Sequence, residues 1–293
     1  MPAHARSALD AVGLGRLMSV GDGSAEIAVA LLDGPVALSH PDLSNALIRV
    51  IGPGRSAHYE EKAPSSPACR HGTFIAGILS AAHSAETPGI CPGCTLLVRP
   101  VFRDEPDGAE PPPATAEDVA GAIVEAVDAG ARVINISGAL HPSVTSERDL
   151  EDALTWAMRR GTLVIAAAGN HGSVASSSLT RHPGVLPVTA CDAMGRPTPR
   201  ANLAPSLGAR GIAAPATARS IVPDGPPLTL SGTSFAAALV SGAAALLWSA
   251  APHAHRQEIV KAVTGSQRRS SVMPPRLDAW TAYQRLLRIK AAA

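Results

Sequence analysis

Short continuous apolar runs alternate along this chain with longer stretches in which apolar residues recur every three or four positions. The runs near residues 26–32, 95–101, 131–136, 162–168, 186–190 and 209–213 lack the polar alternation of half-exposed strands, so they predict strands buried on both faces. The three-to-four spacing predicts helices over 8–18, 72–82, 115–129, 147–160, 234–250, 254–263 and 278–288. The alternation of the two element types predicts an α/β fold: a mainly parallel central sheet with helices on both faces. Pro-rich loops at 104–114 and 222–227 do not divide the chain, and no repeat is present. A single domain over 1–293 is expected, with an N-terminal arm and helix in 1–20 and a C-terminal helix in 278–290.

Composition narrows the packing rather than the class. With 293 residues and 46% hydrophobic side chains, the chain can bury a large core. Aromatic residues make up only 3%, so that core must pack through small side chains. Net charge is +1 and no run of Lys or Arg stands out, which argues against a nucleic-acid or anionic-membrane partner. The first ten residues lack the apolar core of a signal peptide. The apolar run at 235–251 is shorter than the ~20 residues of a membrane span. No long pro-segment precedes the first strand, so a cytoplasmic enzyme that matures without a cleaved chaperone segment is expected. Oligomeric state leaves no signal in the sequence.

Three segments carry chemistry. In Ser231–Leu247 a serine precedes a long run of small apolar residues, which puts Ser234 in the first turn of a buried helix, before its unpaired N–H groups and positive dipole end. A hydroxyl there can act as a nucleophile whose product oxyanion meets backbone donors. Ala236, Ala237, Ala238, Ser241 and Gly242 let that helix lie close to a sheet. In Ile27–Leu43 a six-residue apolar strand ends at Asp33, where Gly34-Pro35 breaks it, and α/β sheets place their sites at such carboxyl ends. In Cys69–Leu79, His71 is expected to open another small-residue helix. Taken singly, each has a plain structural reading: a helix cap, a turn cap, a satisfied or surface histidine.

Taken together, in the order Asp, His, Ser, the segments resemble the subtilisin-like serine proteases, the subtilases. The matching motifs are Asp33-Gly34 with His40-Pro41-Asp42-Leu43, His71-Gly72-Thr73 with Gly77, Gly232-Thr233-Ser234-Phe235-Ala236, and Val164–Asn170. The match runs from about residue 12 to the C-terminus. The resemblance implies a subtilisin-like three-layer sandwich and an Asp33–His71–Ser234 triad. It also implies an oxyanion-hole amide on Asn170 and a substrate-binding strand at Asn135–Gly138. Within the family, Asp33-Gly34-Pro35-Val36, Cys91-Pro92-Gly93-Cys94, Arg181–Val185 and Leu277–Tyr283 look like the proteases of cyanobactin maturation, which cut ribosomally made precursor peptides at the leader side of the core. Most subtilases carry a hydroxyl residue before a glycine after the aspartate, where this chain has Gly34-Pro35-Val36.

Residue types then suggest a mechanism. His71 accepts the Ser234 proton and returns it to the leaving amine, and Asp33 holds the imidazole tautomer. Substrate is expected as an extended strand along Ser137, Gly138, Ala139 and Leu140. Ala166, Ala167, Ala168 and Gly169 are expected to line the pocket for the residue before the cut. Where relatives usually show two glycines, Ala139-Leu140 follow Gly138, and that bulk narrows subsites.

No cofactor is expected. The family's calcium loop falls at 82–90, which here has few oxygen ligands. A disulfide from Cys69 to Cys91 or Cys94 and unpaired thiols stand as equal alternatives. Zinc on Cys69, Cys91, Cys94 and His83 is a third option with weak spacing. His40 and His171 are read as loop residues, and Cys191 as a core residue. Three functions remain open: a peptide-processing serine endopeptidase, a macrocyclase in which the substrate's own amine captures the acyl-enzyme, and a silent peptide-binding module. The macrocyclases carry an extra helical insertion, and the 37 residues between Asp33 and His71 leave little room for it, so hydrolysis is preferred.

Overall fold

The computed structural model describes residues 8–52, 66–102, 114–138, 147–265 and 269–291. After a short helix α1 (Leu14–Met18), strand β1 (Ala28–Asp33) leads through a 3-10 turn to β2 (Ile48–Val50) and helix α2 (Pro67–Ser80). Then follow β3 (Thr95–Pro100), α3 (Ala116–Asp128), β4 (Ala131–Ile136), α4 (Glu147–Arg159) and β5 (Leu163–Ala167). The next elements are α5 (Ser178–Arg181), β6 (Val185–Cys191), α6 (Pro205–Arg210) and β7 (Ile212–Pro215). Strands β8 (Thr217–Ser220) and β9 (Leu228–Ser231) precede α7 (Thr233–Ala250), α8 (Arg256–Thr264) and α9 (Ala279–Ala291).

Seven strands pair in the order β2-β3-β1-β4-β5-β6-β7, every pair parallel. The expected α/β sandwich is therefore present. Strand β1 sits inside the sheet between β3 and β4, and the chain runs outward in opposite directions from it, which makes its carboxyl end a topological switch point. All six β1 residues are buried, because both faces are covered. Val29 and Leu31 join the core under α2 and α7, whereas Ala30 and Leu32 join the one under α3 and α4.

Helix α7 is buried from Thr233 to Trp248. It is long and apolar enough to cross a membrane, yet it lies inside the protein as the central helix of one layer. Its small side chains let it pack against β4, β5, β6 and β7.

Several boundaries differ from the sequence reading for identifiable reasons. Helix α2 starts at Pro67 rather than at residue 72, since Ser66 accepts the Cys69 N–H at 3.1 Å and proline suits the first helical position. His71 thus lies one turn inside the helix. The helix expected over 8–18 is interrupted at Gly13, whose φ of 70° is left-handed. The strand expected at 209–213 is shifted, because Pro205 opens α6 and β7 begins only at Ile212. Strand β2, helix α5 and the β8–β9 hairpin are additional, and the Pro-rich 222–227 segment is the hairpin connection. Both the 104–113 stretch of the other Pro-rich loop and Ala139-Leu140 lie outside the described residues.

The approach of α2 to the end of β1 positions the site. A Cβ on Gly34 would sit 2.1 Å from the Ala68 carbonyl oxygen, and one on Gly72 would sit 2.4 Å from the Gly34 and Pro35 oxygens. The two backbones touch, and no side chain fits between them. Gly34→Ala is expected to lower stability by about 1–3 kcal/mol through overpacking. Urea unfolding reads this, and an unchanged midpoint would show that the contact is dispensable.

Candidate active site

Asp33 ends β1 with no solvent exposure. Its Oδ1 accepts two hydrogen bonds of 2.7 Å, one from the Gly34 N–H and one from His71 Nδ1. Its Oδ2 is buried without a hydrogen-bond partner among the described residues. A Cβ on Gly34 would run into the Ala68 carbonyl, so residue 34 has no room for a side chain beside this carboxylate.

The bond to Asp33 fixes the His71 ring, since Nδ1 is the donor and Nε2 is left as the basic nitrogen. Phe235 packs against the ring with centroids 5.8 Å apart, and Phe74 in turn packs on Phe235 at 4.7 Å. The His71 side chain remains 31% exposed, so one edge is open to a reactant. Burial pulls its pKa down, but the Asp33 charge and hydrogen bond outweigh burial and hold the imidazole above its ordinary value.

Ser234 is the second residue of α7 and is buried to 6% exposure. Its hydroxyl donates to the Ser137 carbonyl at 2.5 Å. Its own N–H belongs to the first turn, whose donors have no acceptor within the helix. Thr233, just before it, bonds in both directions to the loop after β5. The Thr233 N–H donates to Asn170 Oδ1 at 2.9 Å, and Thr233 Oγ1 accepts the Gly169 N–H at 3.1 Å. The first bond decides which end of the Asn170 amide is which, and leaves its NH₂ as the outward donor. A Cβ on Gly232 would lie 3.3 Å from that NH₂.

Strand β4 ends in a buried polar brace. Asn135 donates to Ser137 Oγ and accepts from Ser241 Oγ on α7 at 2.9 Å. Asn135 is fully buried, so it ties the strand end to the serine helix. Gly138 is half-buried, and the Phe102 ring covers it so closely that a Cβ there would fall 1.7 Å from Cζ.

The model of the subtilase family matches residues 24–276. The chain belongs to the subtilase family. It is 32% identical over 229 residues to the thermophilic serine proteinase of Bacillus sp. (strain AK1), covering 78% of this chain and 53% of that relative. The chain thus spans little more than half the length of this curated relative. Among solved structures it resembles the prenylagaramide maturation protease PagA, with a TM-score of 0.81 at 32% identity, covering 94% of this chain and 98% of that one. A mutant of the protease domain of PatA gives a TM-score of 0.81 at 31% identity, with 93% and 98% covered.

This subtilase brings Asp33 and His71 into direct contact, and gathers Ser137, Thr233, Ser234, Gly169 and Asn170 by hydrogen bonds. Of the four small residues expected to wall a pocket, Ala168 and Gly169 are half-buried and Ala167 is 9% exposed. Ala166 is fully buried in the core beneath α3 and α4, so its methyl group is not a pocket wall. His40 caps the 3-10 turn, its Nδ1 accepting the Asp42 N–H at 3.1 Å, in keeping with a structural reading.

No disulfide joins any of the four cysteines. Cys69 contacts Thr73 within its own helix at 3.8 Å. Cys91 and Cys94 face each other across a turn closed by the Cys94 N–H bond to the Cys91 carbonyl. Their mutual hydrogen bond lowers the Cys94 pKa to about 7 and raises that of Cys91. His83 pairs with Asp22 at 3.4 Å, so the four-ligand zinc set is not assembled. Among the described residues, no group of three or more His, Cys, Asp or Glu side chains is placed to hold a metal.

The sequence reading missed Phe235, Thr233 and Phe102, and also Asn202, whose side chain donates to the Ala168 carbonyl and accepts from the His171 and Ser173 N–H groups. Phe235 and Thr233 lie inside the serine motif and were legible as neighbours of Ser234. Asn202 lies in an aperiodic polar stretch with no local signal.

Proposed function

We propose that this subtilase is a serine endopeptidase that processes precursor peptides through an acyl-enzyme. The observation carrying this reading is the 2.7 Å hydrogen bond from His71 to a fully buried Asp33 beside a helix N-terminus that presents Ser234. Its support for precursor peptides is the likeness to PagA and PatA, both named as maturation proteases.

In this mechanism the Ser234 hydroxyl turns from the Ser137 carbonyl toward His71 Nε2, and Oγ attacks the scissile carbonyl as Nε2 takes its proton. Asp33 stabilises the resulting imidazolium and holds its tautomer. The tetrahedral oxyanion accepts from the Ser234 N–H and the Asn170 side-chain NH₂. His71 then protonates the leaving amine, and water repeats the sequence on the acyl-enzyme. The peptide lies as an added strand along Ser137 and Gly138. Ala167, Ala168 and Gly169 wall the pocket for the residue before the cut. Small, uncharged walls favour shape over charge in that choice.

The test is intact-mass analysis of wild type and Ser234→Ala after treatment with a fluorophosphonate, followed by incubation of both with linear peptides of defined sequence. A single adduct on wild type alone, and fragments whose summed mass exceeds the peptide by one water, are expected. Products whose summed mass equals that of the peptide, with one fragment a water lighter than its linear form, would indicate cyclisation instead. Absence of any adduct on folded wild type would overturn the enzyme reading in favour of a binding module. Asn170→Ala should lower kcat by about 10²–10³, the loss seen when a related subtilisin is deprived of this donor. Equal kcat in the two proteins would remove Asn170 from the oxyanion hole.

The His71 environment also sets a pH dependence. Only neutral imidazole accepts the serine proton, so labelling should accelerate as pH rises through the raised His71 pKa. Stability moves in the opposite sense. The His71–Asp33 contribution is complete below the ordinary imidazole value of ~6.5 and fades as pH climbs through the higher folded value. A labelling rate flat across neutral pH would exclude His71 as the base.

A further inference from the structure

We infer that Asn202 is a positioning residue for the oxyanion site: its side chain clamps the loop on both sides of Asn170 and so aims the Asn170 amide. This rests on the role proposed above for Asn170. Asn202 is 8% exposed, lies outside every described helix and strand, and is 32 residues from Asn170 in sequence. Its Nδ2 donates to the Ala168 carbonyl at 3.0 Å, two residues before Asn170. Its Oδ1 accepts the His171 N–H at 3.0 Å and the Ser173 N–H at 3.1 Å, one and three residues after it. Both acceptor sites of the amide oxygen and one donor of its nitrogen are thus engaged.

The backbone repeats the grip. Asn202 N–H donates to the Gly169 carbonyl, Leu203 N–H to Ser173, and Gly172 N–H to Arg200. The clamp is itself anchored, because Thr189 Oγ1 on β6 donates to the Asn202 carbonyl at 2.8 Å. Gly169 has a left-handed φ of 101°, and a Cβ there would lie 2.6 Å from Asn202 Nδ2. Loop and clamp are therefore in contact at the residue that precedes Asn170.

Among the described residues, the Asn170 side chain is tied by the Thr233 N–H to its Oδ1. The position of its Cα depends on the loop that Asn202 holds. An oxyanion donor acts only when aimed at the place where charge develops, and a misplacement of about 1 Å can cost on the order of 10²-fold in rate. Asparagine is the side chain that supplies a donor and a doubly accepting oxygen at this reach. Aspartate keeps the two N–H bonds but sets an oxygen against the Ala168 carbonyl.

A double-mutant cycle on the fluorophosphonate labelling rate tests this, because the phosphonate oxygen occupies the oxyanion site. Asn202→Ala should label about ten- to a hundredfold more slowly than wild type, with Asn202→Asp in between. Asn170→Ala should be slow as well, and Asn170→Ala/Asn202→Ala no slower than Asn170→Ala within about twofold, since a clamp has no effect once its target is gone. A merely structural Asn202 would slow the double variant by the same factor as the single one, and that additivity would overturn the proposal. So would wild-type labelling by Asn202→Ala while Asn170→Ala is slow, which leaves the role of Asn170 intact. Wild-type labelling by Asn170→Ala would instead remove the oxyanion role, and the clamp with it. Where Asn202→Ala fails to fold, the cycle is run with Asn202→Asp.

Discussion

Ser234→Ala is expected to take no fluorophosphonate adduct and to lose about 10⁶-fold in kcat, the loss measured for the nucleophile of a related subtilisin. The residue does little else. Among the described residues its hydroxyl bonds to the Ser137 carbonyl, in a helix whose burial comes from its neighbours. Ser137 is only 3% exposed, so removing that hydroxyl leaves its carbonyl short of a partner and should lower stability by about 1–3 kcal/mol, with unfolding still cooperative. Loss of activity with a preserved melting transition separates a nucleophile from a folding residue. Activity surviving in a folded Ser234→Ala protein would sink the triad assignment altogether. What remains in the variant should come from the oxyanion donors and binding alone, about 10³–10⁴ over water.

The sheet and the candidate residues Asp33, His71 and Ser234 were legible in the sequence because all are written in short local patterns. An apolar run buried on both faces has one reading, and strands β1, β3, β4, β5 and β6 fall close to their expected positions. Asp33 was visible because Gly34-Pro35 marks where its strand must stop, and Ser234 because a small-residue helix follows it. His71 was found by its motif while its place in the helix was not. The Ser66 cap and Pro67 that start α2 earlier lie in a stretch without apolar periodicity.

What stayed hidden depends on contacts distant in sequence. Strand β2 has three residues, too few for a pattern, and forms because β3 offers it an edge. The β8–β9 hairpin is disguised by the prolines of its connection. Ala166 and Ala167 look alike in sequence, yet a pleated strand sends them to opposite faces, which puts Ala166 in the core. The three hydrogen bonds of the Asn202 side chain join residues about 30 apart, so only the fold could show them. The tight fit at residue 34 belongs to the same group. Glycine there is plain in the sequence, but the reason lies in the Ala68 carbonyl against it.

Asp33→Asn should lower kcat by about 10⁴, the loss known from the equivalent change in another Ser-His-Asp enzyme. The geometry allows the asparagine two orientations, and both are poor. With its oxygen toward His71 and the Gly34 N–H, the neutral amide keeps the tautomer but takes from the imidazolium the carboxylate that supports it. With its NH₂ toward His71, Nδ1 must become the acceptor, the ring proton moves to Nε2, and the nitrogen facing the nucleophile can no longer take its proton. Either way the charge that supports the imidazolium is gone. Burial then acts on His71 without opposition, so its pKa should fall below the ordinary value in place of the elevation in wild type. An NMR titration of the His71 ring reads that fall, and labelling rates read the tautomer. An Asp33→Asn protein that labels within tenfold of wild type, or a His71 pKa that stays raised, would show that the 2.7 Å bond does not govern the site.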